Sequence, residues 1–196
     1  MEDPMQDSKP HLIAGTVFFI VALLLGTSLR GNMHVQEKAK TVTQAVAFPF
    51  KASQISEYPP DSTVFMPLHS VDVKKVSDTW GAPRSGGRRH QGQDIFASRG
   101  TPVYSATYGY VLRIGQDRLG GNVVWILGAG GRRYYYAHLD RFNPELKRFQ
   151  EVTPMTVLGY VGTSGNAEKT PPHLHFGIYT NSGAINPLPL LRNWSR

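Results

Sequence analysis

The sequence predicts a mainly β domain of antiparallel strands, preceded by an N-terminal membrane-spanning helix. Three observations carry that expectation. From about Val71 onward, short runs rich in Val, Ile, Tyr and Phe alternate with glycine-containing turns: "TPVYSATYGYVLRIG", "GGNVVWILGAGG", "RRYYYAHL", "MTVLGYVG" and "HLHFGIY". Runs of that length bounded by Gly and Pro read as strands, and tight turns between them favour antiparallel pairing. No convincing amphipathic helix follows residue 40. At the other end, Leu12–Leu29 is 18 residues without a charge, just long enough to cross a bilayer as a helix.

The elements follow in order. Residues 1–30 hold the apolar run, which lacks the recurring polar face of a buried core helix. An A-x-A-like cleavage site exists at Ala45-Val46-Ala47, but it lies about twenty residues beyond the run, too far for an ordinary signal peptide. An uncleaved membrane anchor is therefore expected. The flanks disagree with an outward-facing domain. Glu2, Asp3 and Asp7 precede the run against Lys9, and Arg30, Lys38 and Lys40 follow it against Glu37. The positive-inside rule would keep the C-terminal part in the cytoplasm. Residues 31–70, with the loop signal "EYPPDS", read as a stalk and lead-in strand, and 71–196 as the β domain.

Composition narrows the chemistry. A hydrophobic content of 40% and a charged content of 18% suit a globular fold. No cysteine is present, so any metal must be held by His, Asp or Glu. The net charge is +7, and acids and bases balance over 1–40, so the excess lies in 41–196. That suggests an anionic partner. No nucleic-acid-binding motif accompanies Arg88–Arg89 or Arg132–Arg133, so no nucleic acid is expected.

Four of the seven histidines fall in three short motifs inside strand-rich segments. In "RRHQGQDIF", His90 and Asp94 are four apart. On a straight strand they would sit about 13 Å apart, too far to share an ion. The chain must bend between them, and Gly92 allows it. In "PPHLHFGIY", His173 and His175 alternate with Leu174, so on a strand both imidazoles face one way. Alone, that pattern also fits two exposed histidines. His138 closes "YYYAHL". His11, His34 and His69 have no such setting.

The ordered set "HQGQD", "YAHL" and "PPHLHF" resembles the lysostaphin/LytM-type zinc metallopeptidases, endopeptidases that cut peptidoglycan. The resemblance runs from about Thr79 to Pro187 and includes "GTPVYSATYGYV", "GGNVVWIL", "VLGYVGTSGNA" and "INP". It implies a two-layer antiparallel β-sheet domain with an active-site groove floored by the metal. It implies Zn2+ held by His90, Asp94 and His175, and a catalytic pair, His138 and His173. Peptidoglycan peptides are the implied partner, met by a domain tethered to the bacterial inner membrane on its periplasmic side. Asn122, Thr163 and Ser164 are candidate groove residues, and Arg88, Arg89 and Arg132 candidate contacts to substrate carboxylates. Thr153-Pro154-Met155 replaces an expected glycine, which touches a turn and not the site. The alternative is a catalytically silent module that binds cell wall or activates other hydrolases, although all five motif residues are kept.

Overall fold

A computed structural model describes residues 33–194. Its first element departs from the expected stalk: Met33–Glu57 forms one helix of 25 residues, α1. Weak apolar periodicity hid it. Val42, Val46 and Phe50 stay exposed, and Pro49 lies inside the helix. Ala, Lys, Gln and Glu are strong helix formers and recur along it. Pro49 removes one backbone hydrogen bond without ending the helix. The expected span Leu12–Leu29 lies outside the described residues. Among those described, no helix is long and apolar enough to cross a membrane.

A compact unit covers 47–196. Nine of its strands form one antiparallel sheet: β2 (Gln93–Phe96), β3 (Pro102–Tyr104), β4 (Gly109–Asp117), β5 (Gly121–Leu127), β6 (Arg133–Phe142), β7 (Glu151–Val152), β8 (Val157–Val161), β9 (His173–Thr180) and β10 (Gly183–Ile185). β1 (Val64–Phe65) and β11 (Leu191–Arg192) pair in parallel beside it. The spine runs β10-β9-β6-β5-β4-β7, with β2 added to β9, and β8 to β6. Hydrogen bonding joins these strands into a single branched sheet. The branch lies in β6. Its residues 133–137 pair with β9, whereas Leu139, Arg141 and Phe142 pair with β8.

Strand alternation sorts the side chains. Tyr134 and Tyr136 of β6 enter the main core with Leu174, Phe176 and Ile178 of β9. Val64, Met66 and Leu68 join them from the lead-in. Fully burying each such side chain contributes about 1.5–3 kcal/mol. Tyr135 and Ala137 point to the opposite face, where Trp125 and Tyr179 pack with them. The Thr153-Pro154-Met155 departure falls in the turn between β7 and β8, closed by Thr156 N–H to the Thr153 carbonyl at 2.8 Å.

Candidate metal centre and groove

Register brings the candidate ligands together. In the β2–β9 pair Asp94 lies opposite His175, and Phe96 opposite His173. Directly opposed residues share a face with Cβ atoms about 4.5–5.5 Å apart. Asp94 and His175 therefore meet, while Leu174 between the two histidines is fully buried on the core side. His90 enters from the loop ahead of β2. Its Nε2 lies 2.8 Å from His175 Nδ1 and 3.1 Å from Asp94 Oδ1, and His175 Nδ1 lies 3.1 Å from the same oxygen. Tetrahedral zinc with bonds of about 2.0–2.1 Å spaces its ligand atoms about 3.3 Å apart. Two nitrogens and one oxygen at nearly that spacing fit the ion, and the sequence-predicted set is the one brought together.

The bend at Gly92 has a different cause from the one expected. Gly92 is not among the residues with positive φ. It is needed for close approach, because a Cβ there would lie 2.6 Å from His175 Cε1 and Nε2. Thr79, which sequence reasoning missed, braces both early ligands. His90 Nδ1 donates to its carbonyl at 2.7 Å, leaving the Nε2 lone pair for the site. The Asp94 N–H donates to Thr79 Oγ1 at 2.9 Å. Buried Gln93 holds this segment through the Ser77 carbonyl. Arg84, also missed, donates to Asp94 Oδ2 at 2.5 Å. No spacing signal marks Thr79 or Arg84 in the sequence.

Charge follows from these contacts. Burial pushes the Asp94 carboxyl up, but its close contacts with the His175 and His90 imidazoles outweigh it and hold the group far below the ordinary carboxylate range. Burial pushes the His175 imidazole down, against the pull of Asp94.

His138 reaches the site through a bulge. Between Asn122 and Val124 the β5–β6 register slips: Asn122 faces Leu139, but Val124 faces Tyr136. The extra residue places His138 at φ 62, a left-handed conformation that costs a non-glycine residue of order 1 kcal/mol. Its N–H donates to the Gly120 carbonyl at 2.7 Å. Asn122 and Ser164 prove to be braces of this bulge. Asn122 Nδ2 donates to the carbonyls of Leu139 and Asp140, and Ser164 Oγ to that of Leu139. His138 Nδ1 donates to the Ser164 carbonyl at 2.9 Å. His173 Nδ1 donates to the Pro171 carbonyl at 2.9 Å. Both rings thus turn Nε2 away from these anchors, with centroids 5.0 Å apart. Burial pushes His138 down to about 4, reinforced by His175 and His173 and opposed by the Ser164 carbonyl.

A groove of about 980 Å³ runs over these residues, lined also by Phe96, Pro171, Trp125, Tyr135 and Tyr179. Arg88 and Arg89 line it. Arg132 does not serve the expected role, since its guanidinium donates to the Asp61 carbonyl in the lead-in.

Two imidazoles and a carboxylate converging in an open groove, with two more imidazoles beside them, form a cluster that could hold a metal ion, as in a hydrolase-type site. The chain belongs to peptidase family M23, whose model matches residues 88–187. It is 44% identical over 129 residues to the L-Ala–D-Glu endopeptidase of Bacillus subtilis, a match covering 60% of this chain and 40% of that protein. It is 34% identical over 113 residues to the glycyl-glycine endopeptidase of Staphylococcus capitis, covering 55% and 30%. The chain thus spans well under half the length of these relatives. The catalytic domain of lysostaphin from Staphylococcus simulans superposes with a TM-score of 0.52 at 30% identity, covering 60% of this chain and 92% of that one.

Proposed function

We propose that this chain is a zinc-dependent endopeptidase that hydrolyses peptide bonds of bacterial peptidoglycan. The observation that carries the reading is the convergence of His90 Nε2, Asp94 Oδ1 and His175 Nδ1 at 2.8–3.1 Å from one another in the groove. Three protein ligands leave a fourth position open. Bound there, zinc would supply a water acidified to a pKa of about 7 and a positive charge beside the scissile carbonyl. His138 and His173 share the proton work. Burial keeps His138 neutral at pH 7, so it enters the reaction as a base. Its Nδ1–H is tied to Ser164, and that of His173 to Pro171, so each offers Nε2 to the reacting groups. The imidazole that takes a proton then gives it to the leaving amine. Trp125, Tyr135 and Tyr179 line the groove and offer apolar surface for the peptide to lie against.

The two relatives above divide between a bond of the peptide stem and one of a glycine bridge. The higher identity to the L-Ala–D-Glu endopeptidase favours the stem. The same reading puts the domain outside the cytoplasm, tethered through Leu12–Leu29. A C-terminal reporter fusion active only in the cytoplasm would overturn that placement.

The site assignment is tested by two variants. His173→Ala should bind zinc like the parent and lose hydrolysis of purified peptidoglycan, and His90→Ala should lose both. Undiminished hydrolysis by either variant would sink the assignment.

A further inference from the structure

The groove carries more positive charge than the metal chemistry needs. Arg84, Arg88 and Arg89 line it from the loop before His90, and Arg118 from the turn between β4 and β5. Arg84 is engaged by Asp94. The other three have no carboxylate partner among the described residues. Arg88 donates to the carbonyl and hydroxyl of Ser85, at 3.2 and 3.4 Å, and Arg89 to the Gly81 carbonyl at 3.2 Å. These contacts hold the side chains at the rim without neutralising them.

Two described acids, Asp94 and Asp117, line the same groove, and both are occupied. Asp94 belongs to the ligand set. Asp117 Oδ1 accepts from the N–H groups of Leu119 and Gly120, and its Oδ2 from the Tyr135 hydroxyl at 2.7 Å. The arginine loop is also a fixed scaffold. Pro83 and Arg89 form an antiparallel bridge, and the Arg84 N–H donates to the Arg88 carbonyl at 2.9 Å. Gly86 and Gly87 make the tight turn at φ 73 and 71.

We infer that Arg88, Arg89 and Arg118 make this groove selective for a peptide bearing a free carboxylate close to the scissile bond, over a neutral peptide of the same length. The inference rests on the peptidase reading of the site. Guanidinium groups match carboxylates with two parallel hydrogen bonds. A cleft lined by one sign of charge concentrates ligands of the other. The arginines line the groove from two separate elements, so an acidic peptide lying along it meets positive charge from both.

The test uses the zinc-loaded full chain and a synthetic peptidoglycan stem peptide. Its twins carry a carboxamide in place of the carboxylate next to the scissile bond, or in place of the C-terminal carboxylate. The expected result is a kcat/KM about tenfold higher for the acid than for the first twin. Binding to a His138→Ala variant, measured by calorimetry, should show the same preference. Raising salt should shrink the ratio. Arg88→Gln with Arg89→Gln, and separately Arg118→Gln, should bring it toward one, while Arg148→Gln, away from the groove, leaves it unchanged. A preference lost only with the C-terminal twin overturns the placement beside the bond. Equal binding and equal turnover of acid and amide overturn the inference outright. Tighter binding of the acid with no cleavage of either peptide overturns the peptidase reading and leaves the charge preference standing.

Discussion

Replacing Gly92 with alanine should loosen the metal centre while the domain stays folded. The new Cβ would lie 2.6 Å from Cε1 and Nε2 of His175 and 2.8 Å from the Phe176 carbonyl oxygen. Non-bonded carbons settle at about 3.5–4.0 Å, so roughly 1 Å must be recovered. The carbonyl cannot yield, because β9 is paired with β2 on one side and β6 on the other, and Phe176 is fully buried. The His175 ring must move instead. Overpacking of this kind costs about 1–3 kcal/mol. Directed at a metal ligand, and at 1.4 kcal/mol per factor of ten, that weakens zinc binding about 10- to 100-fold. Competition with a chromogenic chelator measures the affinity, and thermal unfolding of the zinc-free protein reports the fold. Gly115→Ala is the control, since its Cβ would meet only the flexible Arg113 side chain, Nε at 3.6 Å and Nη2 at 3.9 Å. Zinc affinity in Gly92→Ala within twofold of the parent would refute the close-approach argument.

Two further outcomes are expected. Asn122→Ala leaves the Leu139 and Asp140 carbonyls without that donor and frees the His138 bulge. It should cost about 1–3 kcal/mol of stability and lower kcat at least tenfold with zinc affinity unchanged; an unchanged kcat would show that the bulge needs no brace. The zinc-free protein should lose stability as pH falls from 6.5 toward 4. His138 titrates at about 4 when folded against 6.5 when unfolded. The unfolded chain therefore binds more protons in that window, stability falls with pH, and the loss reaches at most about 3 kcal/mol. The downward shift of His175 acts in the same direction. Urea unfolding at a series of pH values measures the slope, and a flat profile from 6.5 to 4 would contradict the buried-neutral description.

What the sequence reveals depends on whether a feature has a period. The facing of His173 and His175, with Leu174 behind them, is legible because strand side chains alternate strictly. The partnership of His90 with Asp94 is legible as a motif, yet the reason for Gly92 is not, since crowding against His175 comes from a strand more than eighty residues away. The same holds for Thr79, whose carbonyl and hydroxyl serve two ligands from outside the motif. His138 is visible as a histidine at the end of a strand-like run. Its left-handed backbone is invisible, because such strain in a non-glycine residue is imposed by the pairing of β5, β6 and β8 and leaves no compositional trace. α1 escaped because its apolar residues do not form one buried stripe.

If His90, Asp94 and His175 hold a zinc ion, peptide hydrolysis should depend on it. The most direct measurement is the release of new amino groups from purified peptidoglycan by chelator-stripped protein, before and after stepwise return of zinc. The stripped protein should release none and recover fully at about one equivalent of zinc, and His90→Ala should show no recovery. Undiminished release by the stripped protein, or tight one-to-one zinc binding without any release, would contradict the assignment.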